Sequence, residues 1–228
     1  MIRTPSLAAL AASAALLLGG CTTTNNYNYP DKARAAAPAA SETQVAGKAK
    51  NVILFIGDGM GISTVTAARI YAGQKQGQSG EEYVLPFETF DNVALVKTYN
   101  TDAQVADSAG TASAMHTGVK TRIGVLGYGP GVTTGDCASG SGHELGLLGE
   151  EVKQRGLALG IVSTARLTHA TPASVYARSV SRDWEGDTAI PEDQRGRGCS
   201  DIAQQLVAAP FDVALGGGSV AFYGKQNG

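Results

Sequence analysis

A chain of 228 residues with 43% hydrophobic and 17% charged side chains can bury one core and is too mixed to be a fibrous or disordered polymer. Its formal net charge of -2, with no basic stripe anywhere, argues against a nucleic-acid surface, so function has to come from local sites. The 30 glycines fall largely at the ends of apolar runs, where they mark tight strand-to-helix turns.

Residues 1–20 read as an export signal: Arg3 near the start, an apolar core from Leu7 to Leu18 too short to span a bilayer, then small residues before Cys21. The ending Leu18-Gly19-Gly20-Cys21 resembles a bacterial lipobox, which implies that Cys21 is lipidated and becomes the first residue of the mature chain. Thr22 stands where inner-membrane lipoproteins carry aspartate, so the expected address is the outer membrane, facing the periplasm or cell surface, with the lipid as the only membrane contact. Residues 21–50, rich in Thr, Asn, Ala and Pro without apolar periodicity, form a tether, and residues 51–228 the folded part.

Val52-Ile53-Leu54-Phe55-Ile56 is apolar on both faces and stops at Gly57-Asp58-Gly59-Met60-Gly61, the pattern of a buried parallel strand. A helix is expected from Ile62 to about Gln76, a strand near Val93–Thr98, and a helix starting at Ser108. A glycine-rich loop runs through Gly140, followed by a helix from about Glu144 to Arg155 and a short strand at Leu159–Ser163. Thr171–Val180 and Asp201–Ala208 read as helical, and Phe211–Leu215 as a strand ending in Gly216-Gly217-Gly218. Strands alternating with helices define an α/β fold with a largely parallel sheet.

The chemistry gathers at the ends of these elements. Ser108 opens a run of small residues, Ala109 to Ala114, after a polar segment, which places its hydroxyl at a helix N-terminus suited to an oxyanion; the plainer alternative is that Asp107 or Ser108 is an ordinary cap. The glycines around Asp58 invite a dinucleotide reading, but Ile62 stands where the last glycine is required and the aspartate would repel phosphate. A carboxylate at a strand end suits a divalent metal, against the alternative of a helix cap. His169 and Thr171, two residues apart, can face one ion or its waters, against the alternative that His169 is a hydrogen-bonded loop residue. Arg182 offers a planar fork for two phosphate oxygens, or is a solvated surface charge.

Taken together and in this order, Asn51–Gly61, Asp107–Ala112, Thr117–Thr121, His169–Ala173 and Gly216–Gly218 closely resemble the alkaline phosphatase family. The resemblance implies a three-layer α/β sandwich with a central, largely parallel sheet, incomplete in this chain, of which residues 51–228 form the N-terminal part of the catalytic domain. It implies a metal-dependent phosphomonoesterase working at alkaline pH through a phosphoserine at Ser108, with two zinc ions and one magnesium. Asp58 would bridge zinc and magnesium, Ser108 would meet zinc, Thr171 would ligate magnesium, and His169 would act on it directly or through water. Arg182 would clamp the phosphate of a phosphate monoester, and the complete enzyme would be a homodimer. In an exported chain Cys137 and Cys199 are expected to pair, and both match cysteines bridged in animal-type members. The second-half zinc ligands of the family do not follow, so this chain reads as an N-terminal portion that is inactive alone. Two other readings stand beside the first: a related phosphodiesterase or sulfatase, and a lipid-anchored surface protein that binds phosphate or metal without turnover.

Overall fold

The computed structural model describes residues 49–224. The export signal, Cys21 and nearly all of the tether lie outside the described residues. The chain divides after Leu54 into two units. In the first, the described residues 49–54 form neither helix nor strand, and Val52, Ile53 and Leu54 are exposed.

The second unit begins with Phe55, also exposed, so the expected buried strand at Val52–Ile56 is corrected to chain without regular structure or strand pairing. The strand expected near Val93–Thr98 is absent too, with Leu95 99% exposed. Both corrections have one reason: an apolar run becomes a strand only when neighbouring strands take up its backbone N–H and C=O groups, and these runs find none.

Helix α1 spans Ile62–Gln74, as the sequence suggests. Helix α2 spans Ser108–Thr117; the Asp107 carboxylate accepts from the Gly110 N–H at its start, and Gly118, in the left-handed region at φ 76°, ends it. The glycine-rich loop that follows contains a single 3-10 turn, Cys137–Gly140. Helix α3, Leu148–Gln154, begins later than the expected Glu144, because Glu144 lies in an antiparallel bridge with Tyr128. Strand β1 (Gly160–Arg166) leads into the short helix α4 (Ala170–Ala173). Helix α5 (Ile202–Ala208), capped by Asp201, leads into strand β2 (Val213–Gly217), which pairs in parallel with β1. Gly160, Ile161 and Val162 face Val213, Ala214 and Leu215 in this two-stranded sheet.

The helix expected over Thr171–Val180 is corrected to α4 alone. Leu126 and Ser179 exchange N–H···O=C bonds in both directions, at 2.8 and 2.9 Å, and this non-local pairing draws the chain after Tyr176 into extended form. Two apolar clusters form the interior. Leu126, Ile161, Ala173, Tyr176 and Ile202 centre the first; Val125, Val132, Val180 and Trp184 centre the second. The neighbours Val125 and Leu126, both fully buried, join them. Cys137 and Cys199 form a disulfide across 62 residues at the rim of the second cluster. No helix among the described residues is long and apolar enough to cross a membrane.

Candidate active site

The N-terminus of α2 is anchored by Ala109, which belongs to the first cluster, and by Asp107, whose Oδ2 accepts from the Gly124 N–H next to Val125 of the second. Its first turn is small, so it can lie deep: Ala109 and Gly110 are buried, and a β-carbon on Gly110 would be 2.5 Å from Asn100 Oδ1. Ser108, half-buried, projects from this turn. Arg182 Nη1 donates to Ser108 Oγ at 2.8 Å and to Asp107 Oδ2 at 3.1 Å. The Arg182 backbone N–H donates to Gly124 O at 2.7 Å, which fixes the stem of the guanidinium against the loop after α2. Partial burial opposes ionisation of Asp107, but the N–H of Gly110, the Asn100 amide, Arg182 and the N–H of Gly124 outweigh it and hold the carboxyl below its ordinary range. Asp107 is thus a cap and, in addition, the anionic anchor of Arg182.

Across the site, Thr171 Oγ1 donates to Asp58 Oδ2 at 2.6 Å, and His169 Nδ1 lies 3.8 Å from the same oxygen. Arg182 Nη2 is 3.0 Å from His169 Nε2. A guanidinium can only donate, so Nε2 accepts and a neutral ring carries its proton on Nδ1. That Nδ1 is buried without a hydrogen-bond partner. The five residues singled out in the sequence, Asp58, Ser108, His169, Thr171 and Arg182, therefore come together, with Arg182 touching both the serine and the histidine. A cavity of about 290 Å³ opens beside them, lined by Asp58, Ser108 and Thr171 and by the apolar Ile56, Met60 and Met115.

The donor set fits one metal better than the other. A carboxylate and a hydroxyl within one hydrogen bond of each other, with the buried Nδ1–H of His169 beside them to donate to a bound water, suit a hard cation that keeps several waters, as magnesium does. Zinc takes three or four protein ligands, and among the described residues no group of three His, Cys, Asp or Glu is placed to hold it.

Three contributors carry no signal in the sequence. Asn100 is buried and donates to Asp107 Oδ1 at 2.8 Å. Glu185 grips Arg166 and Thr168 beneath the His169 turn. His116, buried on α2, shares a 2.7 Å hydrogen bond with Ser174. Neither periodicity nor motif could have found them, because each acts through a partner 7 to 58 residues away in sequence.

An arginine at a helix N-terminus beside a carboxylate–hydroxyl pair, in a chain whose parallel strands alternate with helices, defines an α/β protein with a polar site of mixed charge. The family model described as Alkaline phosphatase matches residues 49–228, and the chain belongs to the alkaline phosphatase family. The chicken tissue-nonspecific alkaline phosphatase is 51% identical over 180 residues, 78% of this chain and 35% of that protein. A cold-active alkaline phosphatase from a psychrophilic Shewanella superposes with a TM-score of 0.57 at 27% identity, over 74% of this chain and 36% of that one. A mutant alkaline phosphatase of the bacterium TAB5, solved with Mg bound, superposes with a TM-score of 0.51 at 25% identity, over 69% of this chain and 39% of that one. The fold is that of alkaline phosphatases, and the chain spans about a third of the length of the curated relatives it matches.

Proposed function

We propose that this chain supplies the nucleophile and the phosphate clamp of a metal-dependent phosphomonoesterase, with residues 51–228 as the N-terminal part of its catalytic domain. The observation that carries the reading is the 2.8 Å contact from Arg182 Nη1 to Ser108 Oγ at the first turn of α2. A serine hydroxyl is a weak nucleophile at its ordinary pKa, and an adjacent guanidinium lowers the cost of its alkoxide form. Ser108 Oγ attacks phosphorus, an Oγ–P bond forms, and the ester P–O bond breaks, sending the bonding pair to the departing alcohol, which takes up a proton. Free N–H groups at the start of α2 and the guanidinium of Arg182 face the non-bridging oxygens and offset their growing charge. Asp107 holds Arg182 in that position. Water then cleaves the Oγ–P bond of the phosphoserine and restores Ser108.

Asp58 and Thr171 would hold magnesium, with the Nδ1–H of His169 reaching it through a bound water; when bound, the ion supplies positive charge beside the phosphate. The zinc pair implied by the family requires ligands beyond those among the described residues. Export, lipidation of Cys21, an outer-membrane address facing the periplasm or cell surface, and homodimer formation belong to the same reading of the whole protein.

The test is acid quenching during exposure to p-nitrophenyl phosphate with magnesium, followed by peptide mapping. We expect phosphate on Ser108 and none in Ser108→Ala. Phosphate on Ser113 or any other residue would sink the proposal, and no trapped phosphate at all would favour a protein that binds phosphate without chemistry.

A further inference from the structure

We infer that Glu185 is a positioning residue: it sets the distance between Arg182 and the His169–Thr171 turn. Its carboxylate accepts three short hydrogen bonds, from Arg166 Nε at 2.7 Å, Arg166 Nη2 at 2.6 Å and Thr168 Oγ1 at 2.6 Å. Both partners belong to the stretch that carries the site, since Arg166 ends β1 and Thr168, fully buried, precedes His169. The His169 N–H donates to Arg166 O at 3.0 Å, so the backbone of the gripped residue is itself bonded to the site histidine.

Glu185 is equally fixed from behind. Its backbone oxygen accepts from Ala203 N at 2.9 Å and that of Trp184 accepts from Ile202 N at 3.0 Å, which ties the segment to the first turn of α5. Ile202 is fully buried in one apolar cluster and Trp184 is buried in the other. Arg182 lies on the same turn, closed by the Trp184 N–H to Ser181 O bond at 3.2 Å. One rigid turn therefore reaches the site stretch twice, through Arg182 to His169 Nε2 at 3.0 Å and through Glu185 to Arg166 and Thr168. The bonds from Leu167 N–H to Gly217 O, at 3.0 Å, and from Tyr176 OH to Leu167 O, at 2.8 Å, tie the turn at Leu167–Thr171 to the sheet and the core. Among the described residues only Arg182 and Glu185 tie it to the Ser181–Glu185 segment, and two points of attachment fix both the separation and the angle between them.

An exposed ion pair contributes little to stability, and Arg166 is half exposed. The strong geometry at Glu185 is accordingly explained by placement: partners behind a site's first ligands orient them, and losing such partners commonly costs about 10- to 100-fold in metal affinity or activity. The inference rests on the phosphatase reading only for what Arg182 and His169 do with substrate, and its test reads their geometry directly.

The test is the ring-nitrogen NMR spectrum of the whole chain labelled at histidine, where His116, His143 and His169 are the only three rings to assign and His169→Gln identifies the Nδ1 and Nε2 signals of the third. In Glu185→Gln the His169 Nε2 signal should move toward that of a ring without a donor from Arg182, while the His116 signal, buried on α2, stays in place. Arg166→Met removes the fork from a half-exposed position and should move the same signal in the same direction. Thermal unfolding of each variant accompanies the spectra. A His169 signal unchanged in folded Glu185→Gln overturns the proposal; should that variant not fold, an unchanged signal in Arg166→Met overturns it. Loss of phosphate trapping on Ser108 in the parent chain would instead strike at the phosphatase reading and leave this geometry standing.

Discussion

Asp107 shows how one side chain acquires several roles from its surroundings. Its oxygens accept from Asn100, Gly110, Gly124 and Arg182, and the carboxyl is held below its ordinary range despite burial. The stability this contributes is present above the unfolded value of about 3.9 and is lost as pH falls through the lower folded value. Asp107→Asn should cost about 1–3 kcal/mol at neutral pH, since buried donors lose their acceptor, and should flatten the acid limb of the unfolding curve. Equal pH dependence in variant and parent would contradict this. His116 acts in another window. Ser174 Oγ donates to Thr171 O at 2.8 Å, so toward His116 it accepts, and His116 Nδ1 carries the proton. Burial lowers the affinity of this imidazole for a second proton. Stability is full above the unfolded value of about 6.5 and falls as pH drops through it, because only the unfolded chain readily takes up the proton, levelling off below the folded value. His116→Asn should remove that slope, as read from thermal midpoints between about pH 8 and about pH 5.

At the scale of elements, α2 shows which features are local. Its start at Ser108 is legible in the sequence because a cap acts within one turn, and Gly118, in the left-handed region, ends it by an equally local device. Its depth depends on Gly110, which is pressed against Asn100 Oδ1 and the Arg122 backbone oxygen, 3.0 Å from where a β-carbon would sit. Gly118→Ala meets open space and should cost only the left-handed backbone, about 1–2 kcal/mol. Gly110→Ala should cost more, about 3 kcal/mol, since the helix has to move off Asn100. Urea midpoints in the reverse order would contradict this account. The stretch after α4 is the opposite case, where a helical pattern yields to the bonds with Leu126.

The whole molecule is closed by one long covalent link and, at the site, by contacts between distant segments. The disulfide between Cys137 and Cys199 spans 62 residues, and the chain-entropy model values such a loop at about 4 kcal/mol. Mapping of alkylated peptides should find neither cysteine labelled in unreduced, denatured protein and both labelled after reduction; labelling before reduction would refute the link. If Asp58, His169 and Thr171 face the metal as proposed, then with no group of three His, Cys, Asp or Glu among the described residues this chain by itself should not turn over p-nitrophenyl phosphate repeatedly with zinc and magnesium. Ser108-dependent multiple turnover would show that the ligand assignment is wrong or that chains assemble to complete the site.

The sequence alone determined what is local: the start of α2 at Ser108, the alternation of strand and helix, and the identities of Asp58, Ser108, His169, Thr171 and Arg182, whose surrounding motifs carry the family. Tertiary structure decided which of these touch. That Arg182 reaches both Ser108 and His169, that Asp107 anchors it, and that Glu185 braces the opposite turn are relations across 13 to 75 residues. It also decided that Val52–Ile56 and Val93–Thr98 form no strands here. An apolar run states only a preference for burial; strand formation depends on whether other segments offer hydrogen bonds and a covering face, and that is a property of the assembled fold.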